Sequence, residues 1–159
     1  MKKVSVRNLS LFSMLLSAGV LTGCSQGDES AKVEYSSIVG IWSGEDGGKV
    51  TFKSDGTFNA THMGGLSSLF SDCPKSDASG TWGFFQPTKF GDAVSDSAKS
   101  GSAIGLTFNN VRQGGCEVRV NVINSGASIC FTDDPEVLCD AGFRLSKQSS
   151  PASTAPKSG

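Results

Sequence analysis

Histidine is almost missing from this chain: His62 is the only one. No two cysteines stand in a CxxC pair. Structural zinc, which is held by cysteine and histidine, therefore has too few ligands here. No G-x-S-x-G elbow, H-E-x-x-H helix or Gly-rich phosphate loop occurs, so the common signatures of serine hydrolases, zinc proteases and nucleotide sites are absent. His62 follows an alternating segment, precedes Gly64-Gly65 and has no sequence neighbour that would make it a general base. The expectation is a protein with no catalytic residue, no metal and no cofactor. Basic clusters are missing too. With 14 Lys and Arg against 15 Asp and Glu, the chain is a poor candidate for binding nucleic acid. No apolar run reaches the roughly 20 residues needed to span a bilayer as a helix.

The longest apolar run is Leu9 to Val20, and it lies near the N-terminus. Lys2, Lys3 and Arg7 precede it and Leu21-Thr22-Gly23-Cys24 follows it. Positive start, short apolar core and small residues read as an export signal. The LTGC segment resembles the lipobox of bacterial lipoproteins. That resemblance implies removal of residues 1–23, a diacylglyceryl group on the Cys24 thiol and often a further acyl chain, such as palmitate, on the new N-terminus. Each buried methylene contributes about 0.8 kcal/mol, so one chain holds weakly and two or three hold firmly. The expected partner is thus a membrane outside the cytoplasm, either the cell membrane or an outer membrane. Ser25 stands where an Asp often retains such proteins at the inner membrane. Losing Lys2, Lys3 and Arg7 from the 14 basic residues leaves 11 against 15 acidic ones, a net charge of −4.

Residues 24–37 are polar, without apolar periodicity, and are expected to form a flexible tether. Residues 148–159 have the Ser/Pro/Ala composition of a disordered tail. Residues 38–147 remain as one small domain. Its apolar pattern has period two, not 3.6. Strands are expected at Ile38 to Trp42, Lys49 to Lys53, Thr57 to Thr61, Gly80 to Phe85, around Ile104, Leu106 and Phe108, around Val118, Val120 and Val122, at Ala127 to Phe131 and at Gly142 to Leu145. Ser54-Asp55-Gly56 and Asn124-Ser125-Gly126 read as hairpin turns. Eight short antiparallel strands with Gly-rich turns predict an all-β, up-and-down barrel. Two stretches interrupt the rhythm, Met63 to Asp77 and Gln86 to Gly101. The second is expected to be a floppy insertion.

Four cysteines follow Cys24: Cys73, Cys116, Cys130 and Cys139. An even count in an exported domain reads as two disulfides, with three pairings open. Cys130–Cys139 spans a short acidic loop between strands, which leaves Cys73–Cys116 by elimination. Asp133, Asp134, Glu136 and Asp140 lie in or beside that loop. Their spacing is not that of a calcium loop, and Pro135 points to a plain turn.

Gly40-Ile41-Trp42 and Gly80-Thr81-Trp82 are both GxW. With Val50, Phe52, Asp55, Gly56 and Phe58 they resemble a loose group of uncharacterised bacterial lipoproteins: lipobox, polar linker, GxW strand, DG turn, second GTW. A more distant similarity is to lipocalins and avidins, whose first strand also begins GxW. The resemblance implies a lipocalin-like barrel. The later lipocalin motifs and the biotin-holding residues of avidins are missing. Trp42 and Trp82 either line a ligand pocket or fill the core, each burying ~150–250 Å². The expected role is binding or envelope interaction without catalysis. Two narrower versions stand beside it: a carrier of a small apolar ligand, and an inhibitor or protein-binding module acting through Met63 to Asp77 and Asp133 to Asp140.

Overall fold

The computed structural model describes residues 27–65, 72–109, 111, 116–134, 136–139 and 143–149. The expected signal segment, Cys24 and most of the expected tail lie outside the described residues. In chain order the elements are β1 (Val33–Glu34), the single-turn helix α1 (Tyr35–Ile38), β2 (Gly40–Ser43), β3 (Lys49–Phe52), β4 (Thr57–Thr61), β5 (Ala78–Thr88), β6 (Gly91–Ser95), β7 (Ser100–Gly101), β8 (Ala103–Phe108), β9 (Glu117–Ile123), β10 (Ser128–Thr132) and β11 (Arg144–Lys147).

Among these, β2, β3, β4, β5, β8, β9, β10 and β11 pair in that order, each antiparallel to the next. β11 pairs back onto β2. The result is the expected closed antiparallel barrel of eight strands. Closure leaves the barrel strands no free edge.

Alternation sets the interior. Trp42, Val50, Phe52, Phe58, Trp82, Phe84, Ile104, Leu106, Val118, Val120, Val122, Ile129, Phe131 and Leu145 are all buried. The register shows why they share one face: Ile129 sits opposite Val122, Phe131 opposite Val120 and Leu145 opposite Ile129. Rings meet edge to face, Phe58 with Phe108 at 5.2 Å and Phe52 with Trp82 at 5.3 Å. A barrel of this strand number is only just wide enough for side chains to fill it.

The turn at Asp55-Gly56 forms as expected, with Gly56 at φ 80°. The Asp55 carboxylate accepts bonds from the Thr57 hydroxyl at 2.6 Å and the Thr57 amide at 2.9 Å. The second GxW glycine answers a steric need. A Cβ on Gly80 would strike the Thr107 carbonyl of the adjacent strand and stand 2.8 Å from the Phe58 ring.

The structure corrects four expectations. The segment expected as a tether is docked from Glu29 onward. Asn124 N donates to Glu29 O, Ala31 N donates to Val122 O, and β1 pairs with β7. The docking contacts come from Ala31, Val33 and Tyr35, which alternate with the exposed Lys32 and Glu34: Tyr35 stacks on Trp82 at 4.2 Å, and Val33 lies over Gly126. The first barrel strand begins at Gly40, not Ile38, because α1 turns Ile38 inward and its carbonyl accepts the buried Trp42 indole N–H at 2.8 Å. The insertion Gln86 to Gly101 is not floppy throughout. β5 runs on to Thr88 and forms a hairpin with β6. Arg119 braces it, stacking 4.8 Å from the Phe85 ring and pairing with Asp92 at 3.5 Å. The last strand is also shifted, to Arg144–Lys147.

Two outcomes are expected. Trp42→Ala removes a large buried ring and a satisfied indole N–H, and should cost about 3–5 kcal/mol in urea unfolding, as large-to-small core substitutions do. The bonds from Thr57, hydroxyl first and amide second, hold the Asp55 carboxyl below its ordinary value of 3.8. A carboxyl depressed in the folded state stabilises above its unfolded pKa, and that contribution is lost as pH falls through the folded pKa. Asp55→Asn should therefore flatten the acid limb of stability below about pH 4, read from unfolding midpoints in an acid series.

Candidate functional site

Strand directions give the barrel two unlike ends. Three long connections, 62–77, 109–116 and 133–143, meet at the end where β4, β8 and β10 finish. The docked N-terminal segment, α1 and the turn Asn124–Gly126 occupy the opposite end, where β9 and β11 finish. We call these the loop end and the tether end.

The loop end carries the cross-links. Cys73 is bonded to Cys116, tying connection 62–77 to connection 109–116. Cys130 is bonded to Cys139, folding connection 133–143 back over β10. Both pairs are those expected from the sequence. Asn121 holds the second loop from beneath, its side-chain amide donating to the carbonyls of Val137 at 3.2 Å and Leu138 at 3.1 Å. Met63 and Phe143 are buried at this end and extend the core towards it.

Between the Cys73 loop and the wall lies an open depression of about 660 Å³. Small residues on adjacent strands, Ala60, Ala78 and Ser79, leave the space. Its polar lining comes from Asn59, Asp72, Asp77 and Asn109. Asn109 is fixed to β5: its amide N donates to the Ser79 carbonyl at 2.8 Å and its side chain donates to the Ser79 hydroxyl at 3.3 Å. A second hollow of about 520 Å³ is lined by His62, Gly64, Lys75, Ser76 and Asp77. Asp77 lines both, so the two hollows adjoin. His62 is exposed with φ 57°, a left-handed backbone uncommon for a residue with a side chain. The two hollows present carboxylates, carboxamides and hydroxyls, groups that can donate or accept hydrogen bonds.

The sequence candidates are not gathered here. Trp42 and Trp82 are 0 % and 2 % exposed, inside the barrel, and line none of the hollows described. The Trp82 indole N–H donates to the Lys53 carbonyl at 3.2 Å, and its ring packs among Tyr35, Phe52 and Phe84. Their polar atoms are spent on the chain's own backbone. In the acidic loop, Asp134 uses its carboxylate to accept the Glu136 amide at 2.9 Å, and its carbonyl accepts the Thr132 hydroxyl at 2.8 Å. Asp134 thus shapes a turn. Asp140 lies outside the described residues. Asn59, Ser79 and Asn109 were missed because they are ordinary outward strand and loop polars, brought together only by register.

Comparison with protein-family models, curated proteins and solved structures gives no match.

Chain entropy predicts unequal cross-links. Opening Cys73–Cys116, which closes 43 residues, should cost about 4 kcal/mol, and opening Cys130–Cys139, which closes 9, about 3 kcal/mol. Paired Cys→Ser variants compared by urea unfolding check this order.

Proposed function

We propose that this chain is a lipid-anchored envelope protein whose barrel is a scaffold for binding another envelope component through its loop end. One observation carries the reading. Both disulfides and the three long connections sit at the end opposite the docked N-terminal segment. A chain held by lipid on Cys24 would keep its tether end towards the bilayer and turn the cross-linked loops outwards. Loops on a rigid scaffold are where binding surfaces are usually carried. Disulfides also fit an oxidising compartment outside the cytoplasm.

The small-ligand alternative has less support. The described inward positions carry large side chains with rings in contact, not a lined void. A catalytic role also has little support. The depression offers Asp72 and Asp77 but no activated nucleophile beside a base.

Two measurements test the reading. Cys24→Ala should shift the protein from the membrane to the soluble fraction or leave an uncleaved precursor. Unchanged retention and unchanged mature mass would refute anchoring. For binding, a photo-crosslinking phenylalanine in place of Lys75 should trap a discrete adduct in intact cells, whereas the same probe in place of Ile41, on the wall at the tether end, should not. No adduct from Lys75 in correctly acylated protein would refute the loop-end interface.

A further inference from the structure

We propose that two copies of this chain pair side by side on the membrane through the outer wall around β9, with Lys89 and Phe90 of each seated on Asp133, Glu136, Val137 and Leu138 of its mate. Side-by-side pairing rests on the lipid-anchor reading above, which confines both copies to one surface.

The β5–β6 hairpin folds across the outside of the barrel. Gly83 and Gly105 face each other in register on β5 and β8, and their bareness makes room for it. A Cβ on Gly105 would stand 2.1 Å from a Val94 methyl and 3.3 Å from the Phe85 ring. One strand further round, Arg119 on β9 stacks on Phe85 and pairs with Asp92. Arg119 lies opposite Thr132, the last residue of β10. The tip lies beyond Asp92, so it projects towards β10 at that height.

The Cys130–Cys139 loop returns to the same wall. Asn121 stands two residues along β9 from Arg119 and donates to the carbonyls of Val137 and Leu138. Its side-chain oxygen accepts the Arg119 Nε–H at 3.3 Å. Arg119 and Asn121 thus hold hairpin and loop as neighbours, within ~7 Å of the same height along the barrel.

This wall is where apolar side chains are left bare. Among the described residues, Phe90, Val94, Val137 and Leu138 are exposed large apolar residues on these two segments, and Ile41 alone lies elsewhere. Phe90 is 88 % exposed although it projects towards the loop, so the chain's own loop does not cover it. Charge divides in the same way. Lys89 stands on the tip, Asp133 and Glu136 stand on the loop, and none of the three has an ion pair among the described residues. A patch with a ring and a cation on one side, and aliphatic chains and carboxylates on the other, is complementary to itself under a two-fold rotation. That is the condition for an isologous contact.

The anchors fix the direction of the axis. Tip and loop are neighbours at one height, so the rotation that exchanges them runs along the barrel. Both copies then keep their tether ends towards the bilayer and present two loop-end hollows facing the same way. A patch of so few apolar side chains is too small for a tight pair in free solution, where stable interfaces bury roughly 1,600 Å². Two anchored chains meet in one plane, and the raised effective concentration favours a weak contact.

The test uses full-length acylated protein in vesicles of phosphatidylethanolamine and phosphatidylglycerol, half of it grown on heavy nitrogen. A photo-crosslinking phenylalanine replaces Phe90. Light should join two chains, and the product should contain mixed-isotope peptides linking position 90 to Glu136, Val137 or Leu138. The same probe in place of Ile41, on β2, should leave single chains. Lys89→Glu should lower the yield about tenfold, since an attraction becomes a repulsion at both contacts. A chain carrying Asp133→Lys and Glu136→Lys should lose yield likewise. Mixed one to one, the two variants should recover it, because each contact between unlike chains again joins opposite charges. Links within one chain only, no links at all, or a mixture no better than either variant alone overturn the pair. Mass spectrometry of the Cys24 peptide keeps the two readings apart. With acyl mass present, those results leave the anchor standing, and its absence overturns both.

Discussion

Everything in this barrel depends on a short seam. The ladder between the first barrel strand, β2, and the last, β11, has two paired positions, Ser43 with Ser146 and Trp42 with Lys147. The β5–β8 ladder, by contrast, has five. The seam is lengthened by the Gln148 amide donating to the Ile41 carbonyl at 2.8 Å. It is also held from the barrel's end. The Lys147 ammonium donates to the Ser37 carbonyl at 2.5 Å and sits 5.7 Å from the Trp42 ring centroid, while the Trp42 indole donates to the Ile38 carbonyl. The single turn α1 is therefore part of the closure. If the seam opens, two strand edges and the apolar interior are exposed together, the condition that favours aggregation.

The same arrangement makes the two ends different in kind. At the tether end the chain covers its own core: Ile38 is buried, and Tyr35 stacks on Trp82, which raises the Tyr35 phenol's pKa chiefly through burial and secondarily through the nearby Asp55. That end is closed by the chain's own N-terminal segment. At the loop end two covalent cross-links hold the described parts of the long connections. A disulfide that closes a long loop limits the unfolded chain and lets polar residues stay at the surface. Asn59, Asp72, Asp77 and Asn109 can then line an open hollow without the fold depending on them.

Much of the barrel was legible because closure forces strict alternation. Val50, Phe52 and Phe58, or Val118, Val120 and Val122, have only one face to turn inwards. The Asp55-Gly56 turn was legible because few sequences accept a positive φ. What was not legible involved single residues acting across the fold. Tyr35 and Val33 lie in a polar stretch and bury against partners far along the chain, Trp82 and Gly126. The short alternation of Ala31, Val33 and Tyr35 with Lys32 and Glu34 marks a face to be buried but does not say against what. Arg119 likewise fixes the β5–β6 hairpin through a stack and an ion pair that spacing does not reveal. The site was the least legible part, since its polar floor is assembled by strand register from residues that look ordinary one by one.

The GxW motif shows how far such a signal reaches. Its tryptophan matters here because an indole is large enough to fill the base of a narrow barrel and has one N–H that must be satisfied when buried. In Trp42 the partner is the carbonyl four residues earlier, and in Trp82 it is the Lys53 carbonyl on the neighbouring turn. The second glycine is needed because a neighbouring backbone passes too close for a Cβ. These are requirements of closing and filling a small barrel. Any chain that builds one meets them whatever it binds, so the motif carries information about architecture and none about ligand. What is particular to this chain lies instead where closure makes no demand: the hollow beside Cys73, and a phenylalanine held in the open on a braced hairpin.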